Sequence, residues 1–155
     1  MKFSVSSSEL LKKLQIAGGA INTSSVVPIL DDFLFEVNNN FLTISATDLE
    51  TSITCKVEVQ ADKNGSVAVP ARILLDTLKA LPQQPITFAV DEESMGIELT
   101  SSYGKYKLAG EKSEDFPDIP APSDEDDQIT LDVGLINRGI NKTLFATSND
   151  ELRPN

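Results

Sequence analysis

The side chains of this 155-residue chain whose spacing could suggest catalysis are a few of its 24 carboxylates and one thiol. Asp48 and Glu50 stand two apart in "TDLE", Asp91 opens "DEES", and residues 124–127 read "DEDD". A metal-using hydrolase built on Asp48, Glu50 and Asp91 would need those oxygens gathered around one cation. The "TDLE" spacing is too sparse for a dedicated site. The "DEDD" run lacks the glycine and distal glutamate of a calcium loop. A solvated turn and a solvated linker fit these residues better, so neither a metal nor a cofactor is expected. The chain has no histidine. That removes Ser–His and Cys–His pairs, imidazole zinc ligands and any side chain that titrates near neutrality unperturbed. Cys55, the single cysteine, lies in the strand-like "SITCKVEV" and reads as a small buried hydrophobe. One thiol makes no internal disulfide, which suits a reducing cytoplasm. No apolar run approaches 18 residues, so no membrane span is expected, and the first residues lack the apolar segment of a secretion signal.

The remaining chemistry is electrostatic. The chain holds 24 acids against 13 bases, a formal charge of −11. The stretch "ARILLDTLKAL", residues 71–81, predicts a helix. At about 100° per residue, Leu74, Leu75, Leu78 and Leu81 share one stripe, with Arg72, Lys79 and Asp76 opposite. An earlier segment places Leu10, Leu14 and Ala17 on one side, Lys12 and Gln15 on the other and Lys13 on the flank. A later one, "VGLINRGINKTLFA", sets Val133, Ile136, Ile140 and Leu144 against Arg138 and Lys142. These three helices carry 6 of the 13 bases but only 3 of the 24 acids. Helix propensity alone does not explain this, because glutamate forms helices as well as lysine does. Locally positive helix backs on a negative molecule attract a polyanion while the rest of the surface repels it. With no aromatic interleaving and no recognition-helix pattern, such contacts position a phosphate backbone without reading its sequence. Duplex nucleic acid is the implied partner.

These helices sit among short strands. "KFSV" alternates, and Ser6 and Glu9 have the spacing of a capping box for the helix that follows. "FLFEV" and "FLTISA" flank Asn38, Asn39 and Asn40 as a hairpin. "SITCKVEV", "SVAVP", "ITFAV", "MGIEL" and "KYKLAG" complete a set of strands that points to an α+β domain. Residues 111–127, with three prolines and many acids, have a linker's composition. Beyond them the pattern restarts. Shifted by 126 positions, "KFSV" lies over "QITL", Leu10 over Ile136, Lys12 over Arg138, Leu14 over Ile140 and Pro28 over Pro154. A period this long implies tandem domains. The second unit has only a strand and a helix, too little for a core, so the chain is expected to be part of a longer protein.

"MKFSV", "VVPIL", "ATDLE" at 46–50, "VPAR" at 69–72 and "EDFP" at 114–117 closely resemble the bacterial DNA sliding clamp family, the beta subunit of the replicative DNA polymerase III. "FATSNDELRP" resembles the corresponding loop of that family's second domain. The resemblance implies a DNA-clamp fold of antiparallel sheets with two helices per domain on the side facing a channel. Residues 1–122 would be the first domain and 123–155 the start of a second. It also implies a non-catalytic processivity factor. Three such domains per chain, and two chains head to tail, would close a ring that encircles duplex DNA and tethers the polymerase. Lys12, Lys13, Arg72, Lys79, Arg138 and Lys142 would face the channel. Ser24, which replaces a basic residue often found in the family, Ser25, Asn149 and Arg153 would lie in loops touching DNA. Ile73, Lys105, Tyr106 and Leu108 would meet the neighbouring subunit, although Tyr106 and Leu108 alternate with lysines and could equally face their own core. Polymerase and clamp loader would bind a pocket between later domains. The alternative is an acidic, β-rich protein-interaction domain with no role on DNA.

Overall fold

A computed structural model describes residues 1–21, 27–119 and 129–147. The chain divides into two compact units, Met1–Ile119 and Pro120–Asn155. In the first, β1 (Lys2–Ser6) leads into α1 (Ser7–Ala17) and a 3₁₀ turn at Gly18–Ala20. After a second 3₁₀ turn (Pro28–Asp31) come β2 (Asp32–Asn38), β3 (Phe41–Thr47), β4 (Ser52–Glu58), β5 (Gln60–Lys63) and β6 (Gly65–Pro70). Then follow α2 (Ala71–Ala80), β7 (Pro85–Val90), β8 (Gly96–Ser101) and β9 (Gly104–Ala109). The strands make two antiparallel sheets, ordered β5-β1-β7-β8-β9 and β4-β3-β2-β6.

The period-2 pattern explains the sheets. Phe33, Phe35 and Val37 of β2 and Leu42, Ile44 and Ala46 of β3 point inward, and Glu36 and Asn38 point out. The turn between these strands is the two residues Asn39 (φ 47°) and Asn40 (φ 65°), with Asn38 opposite Phe41. Asparagine tolerates the left-handed backbone that a tight hairpin demands. Phe3 of β1, Phe88 of β7 and Phe35 of β2 meet in the centre and so bridge the two sheets. Leu10, Leu14, Ala17, Leu74 and Leu78 join the same core from the helices.

Several local expectations change. Ser6 is the N-cap of α1, but its side chain makes no cap bond; its Oγ lies 3.1 Å from that of Ser8. The first turn is held instead by buried Ser7. Its hydroxyl donates to the Pro82 carbonyl and accepts from the Gln84 N–H, tying α1 to the loop after α2. Leu75 and Leu81 are only half-buried, because the core receives α2 along the narrower line of Ala71, Leu74 and Leu78.

Residues 111–119 are not free linker. Glu111 exchanges two backbone hydrogen bonds with Ala68 of β6, each 3.0 Å, and the Ser113 and Ser66 hydroxyls are 2.7 Å apart. Phe116 is buried against Ile29, Leu30 and Ala68. One aromatic anchor on the outer face of a sheet thus overrides an acidic, proline-containing composition. Gly110 permits the approach: a Cβ there would stand 2.9 Å from the Ala68 carbonyl oxygen and 2.8 Å from Val67 Cγ2. Gly110→Ala is expected to destabilise the first unit by about 1–3 kcal/mol, read as a lower urea midpoint.

In the second unit, α3 (Val133–Thr143) is capped by Asp132, whose carboxylate accepts from the Leu135 N–H at 2.8 Å. A 3₁₀ turn follows at Leu144–Ala146. Each boundary falls 126 residues after its counterpart in the first unit: Ser7 to Val133, Ala17 to Thr143, Gly18 to Leu144. The expected "QITL" strand is not one. Gln128 lies outside the described residues, and Ile129–Leu131 take part in no strand ladder.

Candidate nucleic-acid interface

The two helices of the first unit lie side by side on one face of the four-stranded sheet. α1 packs over β3 and β4, α2 over β2 and β6, and the helices touch each other. Beyond the end of α1, Gly18 sits between Phe33 and Leu75 of α2, where a Cβ would make ordinary contact with both. With Leu10, Leu14, Leu74 and Leu78 directed into the core, helical geometry sends Lys12 of α1 and Arg72 and Lys79 of α2 outward, and all three are exposed. Lys13 is half-buried on the flank of α1. The outward faces therefore carry three exposed cations, with Lys13 at their flank, against Glu9 and Asp76.

These cations differ in their partners from several sheet lysines. Lys2 pairs with Asp62, Lys63 with Glu92 and Lys105 with Glu98, all within 3 Å. Lys12, Lys13 and Arg72 have no carboxylate within ion-pair distance among the described residues, and Lys79 has only Asp76 at 3.7 Å. An unpaired surface cation keeps its field available to an incoming anion. Arg72 and Lys79 also flank a cleft of about 420 Å³ with Ala71, Ile21 and Leu75 in its wall. Asp31 and Asp76 line it as well, so the cleft is balanced in charge. Asp31 was not legible as part of this surface, since only the turn before β2 brings it there.

In the second unit Arg138 and Lys142 are exposed on α3 and lie one helical turn apart. Ser24, Ser25, Asn149 and Arg153 lie outside the described residues. Of the four residues suggested for a subunit contact, Ile73 (58% exposed) and Lys105 are on the surface and Tyr106 is half-buried. Leu108 is part of the unit's own core, at 7% exposure. In β9 the Leu108 side chain thus faces the unit's own core.

The carboxylates considered for catalysis serve local turns. Asp48 Oδ1 accepts from the Glu50 and Thr51 N–H groups, and Asp91 Oδ1 from those of Glu93 and Ser94. These bonds favour the ionised form and hold both carboxyls below the usual carboxylate range. Among the described residues no three acidic, cysteine or histidine groups come together as a metal site, and no helix is long and apolar enough to cross a membrane.

Comparison with known proteins fits this geometry. The family model described as DNA polymerase III beta subunit, N-terminal domain, matches residues 1–120. A beta sliding clamp from Vibrio harveyi is 35% identical over 152 residues, covering 94% of this chain and 100% of that protein. The beta sliding clamp of Vibrio cholerae is also 35% identical, over 158 residues, but this chain spans only 42% of its length. Among solved structures, a sliding clamp (DNA polymerase III subunit beta) from Bartonella birtlesii, bound to griselimycin, superposes with a TM-score of 0.89 at 28% identity. The match covers 99% of this chain and 41% of that one.

Proposed function

This chain belongs to the DNA polymerase III beta subunit family, and on that premise we propose that it is the leading part of a sliding clamp, a processivity factor for DNA replication. Residues 1–122 serve as its first domain and 123–155 begin its second. The complete protein closes as a head-to-tail homodimeric ring around duplex DNA, slides along it and tethers the replicative polymerase in the cytoplasm. It performs no catalysis. The observation that carries this reading is the pair of adjacent helices whose outward faces hold Lys12, Lys13, Arg72 and Lys79 on a chain of net charge −11. Those faces line the channel, joined by Arg138 and Lys142 from the matching helix of the next unit. Exchangeable phosphate contacts suit a sliding protein, whereas bonds to base edges would hold it in place.

Three further assignments rest mainly on the family resemblance. Ser24, Ser25, Asn149 and Arg153 belong to loops near DNA at the ring face. The neighbouring subunit meets the end strand β9, with Ile73, Lys105 and the accessible part of Tyr106 as contacts and Leu108 supporting them from within. Polymerase and clamp loader engage a pocket formed by later domains.

The test uses the whole protein that carries this chain, placed by its loader on a nicked circular duplex and passed through gel filtration. The protein is expected to stay with the circle and to be lost when the circle is cut to a linear form. Equal retention on circle and line, or none on either, rejects the ring.

A further inference from the structure

The first unit contains a buried carboxylate with no use in DNA binding. Asp32, the first residue of β2, is 7% exposed, and its Oδ2 has no hydrogen-bond partner among the described residues. It lies opposite Pro70 of β6, and Ala68, two residues back on β6, pairs on its other side with Glu111. Residues 68 and 70 share a face of the strand, so the Asp32 and Glu111 side chains stand on the same outer face of the sheet. Glu111 is joined by its backbone to the edge of β6, and Ser113 and Phe116 dock on that outer face.

We propose that Asp32 is a proton-operated latch for the 111–119 strap: with its carboxyl neutral the strap is held, and with it ionised the strap loosens. The physical basis is that an ionised carboxylate here is poorly solvated and stands among like charges. The titratable groups that act on it are Glu111, from the strap itself, and Asp31, from the preceding turn. Burial first, then these two carboxylates, raise the Asp32 pKa to about 6. The sign follows from linkage. A group whose folded pKa lies above its value in the open or unfolded chain stabilises the closed state as pH falls through the folded pKa. The same group disfavours closure at neutral pH. Opening the strap carries the Glu111 carboxylate away from Asp32, so release of the strap relieves part of that repulsion.

The test is amide hydrogen exchange of residues 112–119 in the 155-residue chain between pH 5 and 7.5, corrected for intrinsic rates and referenced to β3 and β7. Strap protection is expected to fall about tenfold over that range while the core strands stay level. Asp32→Asn should give high protection independent of pH, and Glu111→Gln should lower the midpoint. A carbon-detected titration of the Asp32 carboxyl supplies a readout independent of any variant's folding. A midpoint near the ordinary 4 would overturn the proposal. So would a pH-independent strap in the unaltered chain, an Asp32→Asn profile that keeps the original slope, or loss of protection shared equally by strap and core.

Discussion

Alanine at Lys12, Arg72, Lys79, Arg138 and Lys142 together, in the whole protein, is expected to weaken its hold on duplex DNA at least about tenfold at low salt. The slope of log affinity against log salt should shrink by up to about 0.9 for each phosphate that is no longer neutralised. The reason is counterion release. Each cation that meets a phosphate displaces a condensed ion, and a chain of net charge −11 has few other places to gain that term. The five positions are exposed, so melting should change little. The single variants should not be equal. Arg72 has no acidic partner among the described residues, whereas Lys79 lies 3.7 Å from Asp76, which already offsets part of its field. Arg72→Ala is therefore expected to cost more than Lys79→Ala. Measuring binding to a short duplex across a salt series, with melting curves in parallel, decides the matter. Unaltered affinity and slope in the fivefold variant would remove the helix backs from the DNA-binding surface.

Phe88→Ala is expected to lower the stability of the first unit by about 3–5 kcal/mol, a large part of what a domain of this size possesses. Phe88 is fully buried. Its ring stacks on Phe3 with centroids 5.0 Å apart and meets Phe35 edge-on at 6.1 Å. Two of these residues belong to the five-stranded sheet and one to the four-stranded sheet, so truncation opens a cavity where the layers are joined and removes both ring–ring interactions. Phe88→Leu keeps most of the volume and should lose distinctly less. Urea unfolding followed by circular dichroism gives both values. A loss below about 1 kcal/mol for alanine would mean that the sheets are held together elsewhere.

Much of the architecture was legible because the signals were local. The double asparagine of the β2–β3 hairpin and the leucine stripe of α2 depend on residues near one another in sequence, and the restart at a 126-residue offset repeats such a local pattern. The misreadings share another cause. Ser6 and Glu9 have capping-box spacing, yet the first turn of α1 is secured by Ser7 bonding to residues more than 70 positions away. Residues 111–119 have a linker's composition, yet Phe116 finds Ile29, Leu30 and Ala68. Asp32 looked like one more acid in an acidic chain. Only the fold, which buries it and brings Glu111 near it, makes it a raised carboxylate.

The clearest division between sequence and tertiary structure lies in the two matching helices. Sequence alone determines their period, their boundaries and their cationic backs, because backbone geometry and side-chain spacing repeat wherever the pattern repeats. Whether the apolar stripe is buried is another matter. Leu10 and Leu14 are fully enclosed, whereas Ile136 and Ile140, in the same register, are 41% and 54% exposed. Burial belongs to no residue by itself. It arises when distant strands supply a surface to pack against, and the first unit brings β3, β4 and α2 to its helix.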